Sequence, residues 1–174
     1  MIRKIHLAKC LNEDDWKAVR RDLDLRPVEG VTGSESDAGI LDKLAKFGIT
    51  PESVTLWGTG TPMREFLWSE EMADASVHVL LNVDFKDTYV TGSRDIRNCH
   101  INVGTGKEVS IREVAEIIMK EIGFKGILLW DSSKPDGTMR KLTDVSKLHS
   151  LGWHHKVEID EGIERLYKWY LKGV

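Results

Sequence analysis

The residues best suited to chemistry lie near the ends of predicted strands. They comprise an indole, a carboxylate and several cations: Trp57, Arg64, Lys134, Asp136, Arg140 and Lys141. Fixed cationic donors hold a pyrophosphate, an indole stacks on a base, and a carboxylate accepts hydrogen bonds from guanine nitrogens or ribose hydroxyls. The residue types therefore fit a nucleoside diphosphate, and a turn with ordinary surface charges remains the alternative.

Two glycine-rich turns are further candidates for phosphate binding. Residues 58–63 are Gly-Thr-Gly-Thr-Pro-Met, and residues 104–109 are Gly-Thr-Gly-Lys-Glu-Val. Both lack the third glycine of a dinucleotide-binding loop. The second has no ribose-binding acid about 20 residues on, and no Ser or Thr follows Lys107 as a P-loop requires. We therefore predict that this chain itself binds no cofactor.

Histidine and cysteine spacing favours neither a metal site nor a nucleophile. His149, His154 and His155 share no ligand spacing with a carboxylate or a cysteine, so we expect solvated surface histidines and no metal. Cys99 and His100 are adjacent, and adjacent strand residues point to opposite faces, so we expect Cys99 to serve in packing. A small independent enzyme that uses this pair is a rival hypothesis.

Local signals predict the elements that must position these residues. Strands are expected at 53–57, 100–103 and 127–130, and helices at 1–9, 14–21, 40–47, 69–82, 111–122, 145–151 and 160–171. Ser69 is the expected cap of one helix, while Ser110 and Glu113 have the spacing of a capping box in a helix that Gly123 ends. This order predicts an α/β protein with several helices and few short strands.

Composition limits the class of protein and its partners. The chain has 174 residues, 41% of them hydrophobic and 30% charged, which argues against a disordered or collagen-like chain. The chain has 25 Lys and Arg residues and 28 Asp and Glu residues, which gives a net charge of -3. Neither nucleic acid nor a membrane is therefore an expected partner. Residues 1–9 are basic and contain neither an apolar h-region nor a small-residue cleavage site, so we expect no secretion signal. The 2 cysteines are expected to be reduced thiols of a cytoplasmic protein. The 6 tryptophans are unusually many, and we expect some to line a pocket.

The first third of the chain is the least regular. No capping residue precedes the helix at residues 1–9, which resembles a helix entered partway along, although many proteins begin in this way. Residues 10–53 contain a Gly/Ser/Asp-rich loop and are interpreted as a surface insertion. We accordingly expect residues 1–174 to form a single domain with an insertion at 10–53.

Five motifs resemble one family of nucleotide-sugar enzymes. Residues 56–67 (Leu-Trp-Gly-Thr-Gly-Thr-Pro-Met-Arg-Glu-Phe-Leu), 100–106 (His-Ile-Asn-Val-Gly-Thr-Gly) and 133–141 (Ser-Lys-Pro-Asp-Gly-Thr-Met-Arg-Lys) resemble GDP-L-fucose synthases. Residues 144–153 and 161–169 resemble the end of extended short-chain dehydrogenase/epimerase chains. The resemblance covers residues 1–9 and 54–171.

The resemblance implies a function for a larger enzyme. The family epimerises GDP-4-keto-6-deoxy-mannose at C3 and C5 and reduces C4 with NADPH, which gives GDP-L-fucose. This chain resembles the C-terminal substrate-binding part, with the Rossmann domain absent. It has no Tyr-x-x-x-Lys, because Tyr89, Tyr167 and Tyr170 are not followed by lysine four residues on. We therefore expect a truncated chain with no catalytic residue, inactive alone, whereas NADP belongs to the full-length family enzyme.

Site residues and partners also follow from the resemblance. The positions that match family contacts to the GDP-sugar are Lys4, Trp57, Arg64, Asp136 and Lys141. Lys4 stands where the family has arginine, which keeps the charge but loses the bidentate fork. In related enzymes the helix after Ser69 and residues 100–103 pack on the dinucleotide domain, so we expect an apolar face and a homo-oligomer. A stand-alone nucleotide-binding or protein-interaction module remains the alternative.

Overall fold

The chain forms two compact units. The computed structural model describes residues 1–89 and 96–173. The first unit comprises Met1–Pro62, Ser110–Thr138 and the C-terminal segment from Ile163, and the second comprises Met63–Val109 and Met139–Gly162. The single domain with an insertion at 10–53 stays a prediction.

The α/β class predicted from sequence is confirmed. The helices are α1 (Ile2–Asn12), α2 (Trp16–Leu25), α3 (Asp37–Lys46), α4 (Ser69–Asn82), α5 (Ile111–Ile122), α6 (Ser146–Ser150) and α7 (Ile159–Lys172). The strands are β1 (Ser53–Trp57), β2 (Met63–Arg64), β3 (Val109–Ser110) and β4 (Ile127–Asp131), and a 3₁₀ turn spans Phe85–Thr88. None of the helices in the described ranges is long and apolar enough to cross a membrane.

The first unit is built around a parallel strand pair. β1 and β4 align from Ser53 opposite Ile127 to Trp57 opposite Asp131. Val54 and Leu56 are buried on one face of β1, as the period of two in a half-buried strand requires. The register brings the carboxyl ends of both strands to one edge, where the loops after Trp57 and Asp131 begin.

Residues 10–53 contribute to the core of the first unit. α2 supplies Val19 and Leu23, and α3 supplies Ile40 and Leu44; all four side chains are fully buried. Burying such a side chain contributes about 1.5 to 3 kcal/mol. These four side chains therefore belong to the core and not to the surface, whereas an insertion at 10–53 stays a prediction.

The ends of α5 follow the predicted signals. Ser110 Oγ accepts a hydrogen bond from the Glu113 amide at 3.1 Å, and the Glu113 carboxylate accepts one from the Ser110 amide at 2.8 Å. Gly123 ends the helix with a left-handed φ of 80°. Val114 and Ile118 are among the residues that α5 buries at helical spacing. The capping box and the glycine cap are confirmed.

The start of α4 differs from the prediction. Trp68 occupies the N-cap position, no side chain caps the helix, and Ser69 is already its first helical residue. The amides of Glu71 and Met72 instead donate to the Trp68 carbonyl oxygen at 3.0 and 3.2 Å. The prediction of Ser69 as the cap is wrong, whereas the predicted end at Asn82 is confirmed.

The second unit has a small core of its own. Ala75, Leu148 and Trp153 are buried together, and four partly buried side chains pack on them: Leu67, Val79, Ile101 and Val103. The Trp153 indole N–H donates to the Asp74 carboxylate at 2.8 Å, which satisfies its polar group.

The predicted strand at 100–103 is wrong. Ile101 and Val103 pack on the core of the second unit, but no described strand pairs with this segment. The His100 carbonyl oxygen accepts instead from Lys147 Nζ at 2.9 Å. Alternating apolar residues become a strand only where a neighbouring strand satisfies their backbone groups.

Candidate functional site

The loop after β1 is held in place by Asp136. The Asp136 carboxylate accepts hydrogen bonds from the Thr59 amide at 2.9 Å and from the Thr59 hydroxyl at 2.6 Å. A side chain at Gly58 would place its Cβ 2.2 Å from Asp136 Oδ1, and Gly58 has a φ of 80°. Both close approach and conformation therefore require glycine at position 58.

The two Thr59 bonds also set the charge of Asp136. The side-chain and backbone hydrogen bonds from Thr59 lower the pKa of Asp136 below its ordinary value, against a smaller opposing effect of burial. The carboxylate is thus ionised at neutral pH. Contact of Asp136 with a substrate stays a prediction. In the structure this carboxylate also fixes the conformation of the loop after β1.

Arg112 and Trp130 support the same loop. Arg112 Nη2 donates to the Thr59 carbonyl oxygen at 2.7 Å, and its guanidinium lies 4.7 Å from the centroid of the Trp130 ring. A Cβ at Gly60 would lie 2.6 Å from Trp130. Sequence reasoning missed Arg112, because its position in the first turn of α5 carries no sign of a contact 53 residues away.

Trp57 presents an open aromatic face at the end of β1. Its side chain is 72% exposed, although an indole of this size is usually well buried. Lys134 Nζ lies 5.6 Å from the centroid of the Trp57 ring, within the range of a cation–π contact. Trp57, Lys134 and Asp136 of the predicted set therefore lie in one loop region of the first unit.

Lys4 lies beside a cavity of the first unit. Its ammonium donates to the carbonyl oxygens of Phe47 at 2.6 Å and of Thr55 at 3.2 Å. Burial lowers the pKa of Lys4 from its ordinary value. The adjoining cavity has a volume of about 340 Å³ and is lined by Arg3, Lys4 and mainly apolar residues. Two of the three ammonium donors are thus engaged by the backbone.

The remaining predicted cations belong to the second unit. Arg64 Nη1 donates to the Met63 carbonyl oxygen at 2.6 Å. Arg140 forms a two-pronged ion pair with Glu108, with distances of 2.9 Å for Nε and 2.7 Å for Nη2. Lys141 is exposed and makes neither a hydrogen bond nor an ion pair with any described residue. Arg140 is therefore already neutralised, whereas the Lys141 ammonium is open to an anion.

The second glycine turn is engaged by a carboxylate that sequence reasoning missed. Glu65 accepts from the amides of Thr105 and Gly106 at 2.7 and 2.6 Å. These are the backbone donors that a phosphate would use in a glycine-rich loop. The turn at residues 104–109 is thus occupied by the chain's own acid.

The histidines and Cys99 differ in part from expectation. The His149 and His154 rings stack at 4.2 Å, and the His155 side chain is only 9% exposed, so the predicted surface position is wrong for His155. No group of three or more metal-ligating residues occurs in the described parts of the chain. Cys99 is an exposed free thiol, so its predicted packing role is also wrong.

Comparisons with known proteins find similarity to nucleotide-sugar enzymes. Residues 25–104 match the NAD dependent epimerase/dehydratase family. The chain is 46% identical over 120 residues to GDP-L-fucose synthase of Escherichia coli (strain K12). It is 50% identical over 123 residues to GDP-L-fucose synthase 1 of Arabidopsis thaliana. The resemblance to the GDP-L-fucose synthase family is confirmed.

The chain spans about a third of the length of these GDP-L-fucose synthases. The matches cover 69% and 71% of this chain, and 36% and 34% of the Escherichia coli and Arabidopsis thaliana proteins. The fold of a GDP-L-fucose synthetase from Naegleria fowleri bound to NADP is also similar, with a TM-score of 0.57 at 24% identity. The match covers 69% of this chain and 35% of the Naegleria fowleri chain.

A second group of solved structures matches nearly the whole chain. A GDP-6-OMe-4-keto-L-xylo-heptose reductase from Campylobacter jejuni has a TM-score of 0.85 at 40% identity. The match covers 99% of this chain and 47% of the reductase. Residues 10–53 therefore have a counterpart in that enzyme.

Proposed function

We propose that this chain is the GDP-sugar-binding part of an epimerase/reductase of the GDP-L-fucose synthase type. The complete enzyme would convert GDP-4-keto-6-deoxy-mannose to GDP-L-fucose with NADPH. The relatives at 46% and 50% identity support the family, and the side chains at the ends of β1 and β4 support nucleotide binding. Because the chain spans a third of these relatives, the proposal gives it binding and assigns it no catalytic residue.

The exposed indole of Trp57 is the observation that carries the proposal. A 72% exposed indole with a lysine ammonium beside it offers a stacking surface for a base and a cation for its phosphates. A purely structural tryptophan would bury this apolar area, which is worth about 25 cal/mol per Å². We assign the guanine base to this surface.

The diphosphate is assigned to the cations. In the second unit these are Arg64 and Lys141. In the first unit Lys4 stays a predicted contact, with one ammonium donor that the backbone does not engage. Charge-assisted hydrogen bonds of this kind are about twice as strong as neutral ones. Asp136 is the last residue of the proposed set, and it orders the loop that follows Trp57 by accepting a hydrogen bond from the Thr59 amide.

The glycine turn at 104–106 does not fit the pyrophosphate of NADP. The amides of Thr105 and Gly106 donate to Glu65, and a Cβ at Gly104 would lie 2.4 Å from the same carboxylate. A pyrophosphate at this turn would have to displace an ion of like charge. We therefore assign NADP to the complete enzyme and not to this glycine turn.

A GDP-heptose reductase is the second candidate. It is favoured by the match to the Campylobacter jejuni heptose reductase, which covers 99% of this chain, whereas the Naegleria fowleri GDP-L-fucose synthetase covers 69%. Residues 10–53 supply core side chains and are long enough to account for that difference. Both candidates share a GDP moiety, and binding of GDP-heptose in preference to GDP-L-fucose would select the second.

Calorimetric titration of GDP tests the proposal. We expect the wild-type chain to bind GDP, and Trp57→Ala to weaken binding about tenfold or more, because stacking of a base on an aromatic ring contributes about 1 to 3 kcal/mol.

Trp169→Ala is the matched control. Trp169 is another exposed indole of the first unit, 51% exposed on α7, and its loss should leave the Kd for GDP unchanged. Equal weakening by both substitutions, or no binding of GDP by the wild-type chain, would contradict the proposed function.

A further inference from the structure

Glu65 joins three segments of the second unit through one carboxylate. One oxygen accepts from the amides of Thr105 at 2.7 Å and Gly106 at 2.6 Å. The other accepts from the Thr143 amide at 3.2 Å and from the Thr143 hydroxyl. The partners lie 40, 41 and 78 residues from Glu65 in sequence. The side chain therefore fixes the relative position of three remote segments.

These contacts flank two cations of the second unit, Arg64 and Lys141. The Met63 amide donates to the Met139 carbonyl oxygen at 2.8 Å, which joins the two segments on one side of Arg64 and Lys141. The contact of Glu65 with the residue two positions after Lys141 joins them on the other side. Each cation thus lies between two fixed points on its own segment.

We propose that Glu65 is a positioning residue that sets the spacing of Arg64 and Lys141 for a diphosphate. The inference rests on the proposed function, in which these two cations bind the phosphates of GDP. A diphosphate requires donors at a fixed separation, and a long cationic side chain loses less freedom on binding when its backbone is already held. Glu65 touches neither the base nor the sugar in this proposal and acts through the two cations.

A carboxylate provides two acceptor oxygens, one for Thr105 and Gly106 and the other for Thr143. In Glu65→Gln one of the two oxygens becomes an amide nitrogen, which cannot accept from a backbone N–H. If the Gln oxygen keeps Thr105 and Gly106, the Thr143 amide loses its partner and the segment that carries Lys141 is released. If the Gln amide is rotated by 180°, its oxygen keeps Thr143, and the amides of Thr105 and Gly106 lose their acceptor instead.

The test compares GDP with guanosine in calorimetric titrations of Glu65→Gln. We expect the Kd for GDP to rise about tenfold, as the loss of one partly buried acceptor predicts, and the Kd for guanosine to stay at its wild-type value. A general loss of folding would weaken both ligands equally. That outcome would contradict a positioning role.

Glu71→Gln is the matched control for the loss of a carboxylate charge. Glu71 is a buried carboxylate of the same unit that accepts from the amides of Lys156 and Val157. One oxygen, Oε1, accepts both bonds, and the Gln side chain keeps such an oxygen, so Glu71→Gln removes a carboxylate charge but no acceptor. We therefore expect an unchanged Kd for GDP. Equal weakening of GDP binding by Glu71→Gln and Glu65→Gln would overturn the inference.

A double-mutant cycle with Lys141→Met shows whether Glu65 acts through a cation. Lys141 is exposed and without a hydrogen-bond partner among the described residues, so this variant keeps the fold. The effect of Glu65→Gln on GDP binding should shrink in the Lys141→Met background, because interacting residues are not additive. Full additivity would contradict the inference.

Amide hydrogen exchange gives a readout that needs no ligand. Glu65→Gln should speed exchange at Thr143 or at residues 105–106, whereas Glu71→Gln, which keeps the acceptor of both its amides, should leave exchange at residues 156–157 unchanged. Unchanged exchange at both partner segments of Glu65 would overturn the inference even where GDP binds. No binding of GDP by the wild-type chain contradicts the proposed function, whereas wild-type binding with an unaltered Glu65→Gln Kd contradicts this inference alone.

Discussion

Asp136 shows how one side chain can shape a loop that carries other chemistry. Each carboxylate oxygen accepts one hydrogen bond from Thr59, and the space the carboxylate fills excludes any side chain at Gly58. The loop therefore leaves β1 in a fixed direction, directly after the exposed indole of Trp57. An aromatic surface that is oriented before its ligand arrives costs less entropy on binding.

The hydrogen bonds that Asp136 accepts from Thr59 should be lost in acid. Hydrogen bonds from the Thr59 hydroxyl and amide lower the pKa of Asp136 from its ordinary value of 3.8. A lowered folded pKa means that the interaction stabilises the loop above that ordinary value and is lost as pH falls through the folded pKa. The Thr59 amide proton, followed by NMR, should shift with a midpoint below 3.8.

Asp136→Asn provides the control for this titration. The variant keeps the shape of the side chain but has no carboxyl group, so the acid shift of the Thr59 amide should disappear. A midpoint at or above 3.8, or a shift that persists in Asp136→Asn, would show that another group reports on the loop.

Candidate residues could be picked out by their type more easily than their structural roles could be predicted. The sequence could single out Trp57 because an indole next to glycine turns has few structural uses. It could not single out Glu65, since the donors that surround this carboxylate lie 40 to 78 residues away and leave no local pattern. Contacts at such separations are set by the fold and not by spacing.

At the scale of elements, the starts of α4 and α5 allow a serine that caps its helix to be compared with one that does not. Ser110 accepts from the Glu113 amide at the start of α5, whereas Ser69 caps nothing at the start of α4. We expect Ser110→Ala to lower the free energy of unfolding by about 1 kcal/mol, the usual value for loss of a capping side chain. Ser69→Ala should change it by less than about 0.5 kcal/mol.

Urea unfolding of both variants measures this difference. The two substitutions remove the same hydroxyl from the first residues of a helix, so propensity effects are similar and the cap alone distinguishes them. If Ser69→Ala is as destabilising as Ser110→Ala, the assignment of Trp68 as the N-cap residue of α4 is wrong.

Elements with local signals were predictable, and elements that depend on remote pairing were not. The capping box and glycine of α5 act within four residues, and β1 has a β-branched, alternating pattern. β2 and β3 have two residues each, so no period can show them. Residues 100–103 have the period of a strand, but strand formation also needs a partner that the pattern does not specify.

At the scale of the whole molecule, the chain carries an apolar face that its own described residues leave open. Val77, Leu80 and Leu81 lie on one side of α4, and Phe85 follows in the 3₁₀ turn. Leu80 and Leu81 are 80% and 73% exposed, which is unusual for adjacent leucines. Contiguous exposed apolar patches mark surfaces of association.

We therefore expect the isolated chain to self-associate through this face of α4. Light scattering should give a mass that rises with protein concentration, because burying leucine side chains contributes about 1.5 to 3 kcal/mol each. Leu80→Lys should shift the chain to monomer, since a charge at the centre of an apolar contact is costly to bury. Leu166→Lys, at another exposed leucine on α7, is the control and should leave the mass unchanged. A constant monomer mass for the wild-type chain at every concentration would contradict the prediction, and equal effects of both substitutions would show that association uses another surface.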